Sequence, residues 1–243
     1  MHMTLRRYHV SPLARISFAF SEAICLYCVI RFLIERTIDK VLLSVCVAAL
    51  AAVPLWITRF SIFPADWLTV FVHLYVLGVL FGHNFDFYDR VGCWDKLLHA
   101  AGGITFAIVG QYVLYFLNRR QPSPRWLTFT FMLISSIAAA AIWEFYEYFC
   151  DRAFHLDMQR DTYLTDMYSR LLADAYGEIG SIDPIESITV NSVNLSGYID
   201  VGLIDTMNDM LTETLGAIAA AVGFLIGKDH RPAVRFPPKD TVT

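Results

Sequence analysis

Charge is scarce in this chain. Only 17% of its 243 residues are Asp, Glu, Lys or Arg, where a soluble domain carries roughly 25%. The net charge is −4, which provides no basic field for nucleic acid. Five cysteines are too few for a dense disulfide framework. A glycine-rich phosphate loop, a nucleophile elbow and an HExxH pair are all missing, as are heptads, low-complexity tracts and recognisable inverted repeats. These absences exclude a disordered or fibrous chain and disfavour a water-soluble one. What the chain has instead is apolar residues, at 56%, with a mean hydropathy of +0.47.

Six apolar stretches approach the roughly 17–25 residues a spanning helix needs: Ile16–Ile34, Val41–Thr58, Trp67–Phe81 (extending toward Asn84), Leu97–Leu117, Leu127–Phe149 and Leu203–Ile226. The first lacks a small-residue cleavage site and contains Glu22 and Arg31, so it reads as a retained helix and not a signal peptide. Trp56, Trp67, Trp94 and Trp126 fall at span ends, where indoles settle at the interface. Eleven basic residues (Arg6, Arg7, Arg15, Arg59, Arg119, Arg120, Arg125, Lys228, Arg231, Arg235 and Lys239) collect on one side. The short loops opposite offer only Arg36, Lys40, Arg90 and Lys96. The positive-inside rule then puts both termini in the cytoplasm.

The expected fold is an all-α, polytopic six-helix bundle with a small extracytoplasmic insertion between helices 5 and 6. Its expected divisions are 1–151 for the first five helices, 152–200 for an outer cap, 201–231 for the last helix and 232–243 for a disordered cytoplasmic tail. The cap carries eight acids and three basic residues. Within it, apolar spacing predicts a helix over 161–176 and alternation predicts a strand or hairpin over 187–196.

Ionisable residues cost ~2.5–3.5 kcal/mol at the centre of a spanning helix, yet three helix ends carry them in stripes. Asp95 and His99 are i, i+4. Asp205, Asp209 and Glu213 drift only about 80° around their axis, and Glu144, Glu147 and Asp151 lie within about 60°. With the N-terminus inside, all three stripes fall at one depth, in the outer half, level with His83, Asp86 and Asp89. Carboxylates gathered there must be paired, protonated or metal-bound. The leading expectation is a divalent metal site (Zn²⁺, Mn²⁺ or Mg²⁺) with Asp95, His99, Glu147 and Asp209 as ligands. Glu144 and Glu213 are the candidate catalytic carboxylates, as ligand or general base, acting on an envelope lipid or lipid-linked substrate. A cation- or proton-coupled transporter using the same acids and a non-catalytic envelope assembly factor are the alternatives. For Asp95, Asp151 and Asp205, at the very ends, helix capping and pairing with Lys96, Arg90 and Arg152 is the plainer role. His73, alone mid-span, reads as a satisfied core histidine, and Cys25/Cys28 as packing. Cys93 and Cys150, both expected at the outer surface, are a candidate disulfide.

The residues of these stripes also carry a resemblance. Tyr88–Gly92, Trp94–His99, Trp143-Glu144, Asp205–Met210 and Leu215–Ala217 resemble the bacterial YjdF-type inner-membrane proteins and, more distantly, the VanZ-like family. In the latter, D-K-x-x-H and D-x-x-x-[NE]-x-x-G-[AG] recur. Here they are Asp95, Lys96 and His99, then Asp209, Glu213, Gly216 and Ala217. The resemblance implies a small polytopic membrane protein of the bacterial envelope without a settled activity. The segment Arg152–Asp200 is longer than the corresponding connection in YjdF-type members.

Overall fold

A computed structural model describes residues 10–60, 63–227 and 234–235. Among the described residues six helices are long and apolar enough to cross a membrane: α1 (Pro12–Glu35), α2 (Ile38–Trp56), α3 (Asp66–Asn84), α5 (Trp94–Leu117), α6 (Arg125–Phe154) and α7 (Leu203–Ile226), with a single turn, α4 (Phe87–Arg90), between the third and the fourth. The all-α polytopic expectation holds, and Trp67–Phe81 does extend to Asn84. Large apolar side chains point away from the protein along these helices, with Ile16 66% and Ile142 68% exposed. Such faces are costly in water and suited to lipid.

Local chemistry sets the helix ends. The Ser11 hydroxyl accepts the Ala14 N–H at 3.1 Å and Pro12 stands at the first helical position, starting α1. Arg36, at φ 60°, stops it in the left-handed region, with Thr37 N–H returning to the Phe32 carbonyl at 3.0 Å.

The chain forms two compact units, Met1–Ala138 with Thr212–Thr243 and Ala139–Leu211. In the first, α1, α2 and α3 close on Cys25, Cys28, Phe32, Val47, Ala51 and Leu80. The Cys25/Cys28 pair is thus core packing. His73 is satisfied as expected, with Nδ1 2.8 Å from the Ser17 hydroxyl and Nε2 3.0 Å from the Ala51 carbonyl. His73→Ala removes both of these hydrogen bonds between α3 and its neighbours. The expected cost is about 1–3 kcal/mol, read as a lower thermal midpoint in detergent.

Ala107, Met132, Ala217 and Ala221 bring α5, the first half of α6 and the second half of α7 together. Gly103 makes this possible. Its carbonyl accepts the Ser136 hydroxyl at 3.3 Å, while its Cα lies against the Glu213 carbonyl, and Gly216 lies against the Ala100 carbonyl. The small residues of α5 therefore do what their composition suggested, and let two backbones touch. Two residues, Phe63–Pro64 (β1) and Val234–Arg235 (β8), pair antiparallel. The rest of the tail from Pro232 lies outside the described residues.

The second unit holds the end of α6, the start of α7 and six short strands between them. These pair as β2 (Tyr163–Leu164) with β7 (Tyr198–Ile199), β3 (Met167–Ser169) with β4 (Gly180–Ile182), and β5 (Ile188–Val190) with β6 (Val193–Leu195). The hairpin expected within 187–196 is present. The helix expected over 161–176 is not. Leu164, Met167, Leu171 and Leu172 have helical spacing, but their backbone bonds to partners well downstream, such as Met167 opposite Ile182, and Arg170–Leu172 makes only a 3₁₀ turn.

Asp200 ties this segment to α7, accepting the N–H groups of Thr162 at 2.8 Å and Ile204 at 2.7 Å. Partial burial disfavours its charge, but these backbone donors outweigh burial and hold its carboxyl below the usual carboxylate range. Asp161 shifts upward, through burial and repulsion from Asp157, Asp200 and Asp151. A depressed folded-state value means that the Asp200 contribution is present above the unfolded value of about 3.9. That contribution is lost as pH falls through the lower folded value. Asp200→Ala should speed hydrogen exchange at the Thr162 and Ile204 amides at neutral pH, and the wild-type protein should do so only below about pH 4.

Candidate metal centre

Close helix contact builds the centre. α5 and α7 present matching i, i+4 ladders: Asp95, His99, Gly103 and Ala107 on one, Asp209, Glu213, Ala217 and Ala221 on the other. The small rungs let the backbones meet, and that contact carries His99 to Glu213. His99 Nδ1 stands 3.8 Å from Glu213 Oε2, and its Nε2 stands 3.7 Å from Asp95 Oδ1. Neither separation is a hydrogen bond.

Glu213 is the least satisfied member. It is 4% exposed, and its Oε1 is buried with no hydrogen-bond partner. Gly102 faces it: an ideal Cβ there would sit 3.8 Å from the Glu213 carboxyl carbon and 3.1 Å from the Tyr75 hydroxyl. Since α7 is one unbroken helix, its own geometry sets Asp209 a turn before Glu213. Asp209 is 2% exposed. Asp95, His99 and Glu213 thus stand together within the first unit, while Asp209 belongs to the second. Asp95 also pairs with Lys96 at 3.3 Å, the role expected of a helix-end acid.

The remaining expected site residues lie on α6. Glu144 and Glu147 are buried. Gln159 Nε2 donates to Glu144 Oε2 at 3.3 Å and to the Thr206 hydroxyl at 2.7 Å. The Trp143 indole donates to Glu147 Oε1 at 2.7 Å. Asp151 has the structural role anticipated for it, accepting the Met158 and Gln159 N–H groups at 2.7 and 2.9 Å. Asp205 likewise accepts the Arg160 N–H at 3.2 Å. The candidate Cys93–Cys150 bridge is not formed: both are free thiols, Cys93 exposed and Cys150 buried. Tyr75 and Gln159 were not among the expected residues. Nothing in their local sequence marks them, because each matters only through a partner far along the chain.

Residues 17–230 match the DUF2238 family, described as a predicted membrane protein. The chain belongs to that family. This fits the likeness to YjdF-type proteins and the six candidate spans of this DUF2238 member. No curated protein and no solved structure matches it significantly.

Proposed function

We propose that this protein holds a divalent cation in the outer half of a bacterial inner-membrane bundle, with both termini cytoplasmic. Asp95, His99 and Asp209 are the ligands, joined by Glu213 and with Glu147 as a further candidate. The observation that carries the reading is the buried Glu213 Oε1, which accepts no hydrogen bond although the other oxygen of the same carboxylate lies 3.8 Å from the His99 imidazole. A buried carboxylate oxygen without a donor is costly, and a cation removes that cost. An imidazole among carboxylates suits Zn²⁺ or Mn²⁺ better than Mg²⁺.

The cation supplies Lewis acidity and an activated water. Glu144, buried and steadied by Gln159, is the general base, and an envelope lipid or lipid-linked precursor is the substrate. The distant resemblance of Asp95, Lys96, His99, Asp209 and Glu213 to the VanZ-like pattern is in keeping with an envelope role. Below Glu213 the ladders continue as Gly103, Ala107, Ala217 and Ala221, and these three alanines are fully buried. That favours a site closed on its inner side over a transport path.

A ligand that binds only the folded protein stabilises it by about 2.7 kcal/mol at a hundred times its Kd. Zn²⁺ or Mn²⁺ should therefore raise the thermal midpoint of the purified protein reversibly with chelator, and Asp209→Asn should abolish the rise. An equal rise in both proteins would contradict the proposal.

A further inference from the structure

An apolar groove of about 230 Å³ lies between α3 and α5. Phe71, Leu74 and Tyr75 form one wall, and Trp94, Leu97 and Ala101 the other. From Trp94 to Ala101 it runs about 10 Å along α5. Its one indole N–H is engaged, donating to the Gly78 carbonyl at 3.0 Å, so the Trp94 wall offers no donor to a polar guest. Leu74 and Leu97 are 61% and 57% exposed on membrane-spanning helices, so the groove opens to hydrocarbon.

The groove also adjoins the acidic centre. Tyr75 lines it, and the Tyr75 hydroxyl shares the space over Gly102 with the Glu213 carboxyl group. Ala101, at the groove's end, adjoins Gly102 in the chain. An apolar slot and a buried acid–imidazole pair thus share one tyrosine as a wall.

We propose that the groove seats one hydrocarbon chain of a membrane lipid whose polar head lies at His99 and Glu213. This rests on the cation-site reading for the head, but not for the chain. It gives the lipid a defined approach, from the bilayer between α3 and α5, and makes Tyr75 the residue that separates head from tail.

The test uses full-length protein in nanodiscs containing a phospholipid with a diazirine in its acyl chain. After illumination, labelled peptides are quantified by mass spectrometry. Labelling should concentrate on 71–78 and 94–101 and exceed that of the lipid-facing side of α1. It should fall at least fivefold in Ala101→Phe, which fills the slot, and in Leu74→Phe, which narrows its mouth without burying a new group. Metal content in these two variants should match wild type. His99→Ala should lower groove labelling too, because the head loses its contact. Even labelling over all spans, or groove labelling unchanged in His99→Ala, would show ordinary boundary lipid and overturn the proposal. If wild type holds no metal while all three substitutions still lower groove labelling, the cation reading fails and the lipid seat stands.

Discussion

Gly103→Val will separate α5 from α7. The new Cβ would occupy the position of the Glu213 backbone carbonyl, with the Ala217 amide also close. A backbone carbonyl in a continuous helix cannot rotate aside as a side chain would, so the helices must move apart. Overpacking of a core usually costs about 1–3 kcal/mol, and against rigid backbone the cost should reach the top of that range or exceed it. Moving α7 away also takes Glu213 from His99, so cation binding should fall with stability. Gly216→Ala, whose methyl would meet the Ala100 carbonyl, should act the same way to a smaller degree. Gly223→Ala is the control. Nothing lies within 4 Å of its ideal Cβ, and alanine is the better helix former by about 1 kcal/mol. Thermal midpoints of the three variants in one detergent check the order.

The second large effect concerns the ligands themselves. Loss of an outer-shell partner typically lowers metal affinity about 10–100-fold, so removing a ligand should cost at least the upper figure. His99→Ala removes the one nitrogen ligand. Asp209→Asn keeps the shape and one oxygen but removes the charge. Both should therefore abolish retention of the cation through purification. Asp205→Asn should not, because the Asp205 carboxylate accepts the Arg160 backbone N–H, a contact an amide oxygen can retain.

Much of this architecture is legible in the sequence, for reasons that differ between elements. The six spans follow from hydropathy, because lipid imposes the same demand on every residue of a span. The acid ladders follow from helical periodicity, which needs only positions 95 and 99, or 209 and 213. The hairpin at Ile188–Leu195 is local and was readable. The stretch around Met167 was not, since pairing with Ile182 is a non-local contact that overrides helical spacing. Nor could periodicity show which ladder meets which. That depends on Gly103 and Gly216 bringing backbones into contact, and it turns Glu213 from one acid among many into the neighbour of His99. Nor does the sequence show that Cys150, at a helix end, lies buried.

Elemental analysis of detergent-purified wild type, beside His99→Ala and Asp209→Asn, tests the central claim most directly. Close to one Zn or Mn per wild-type chain is expected, with background levels in both variants. Wild type with no metal above background, after supplementation with Zn²⁺, Mn²⁺ and Mg²⁺, would contradict it.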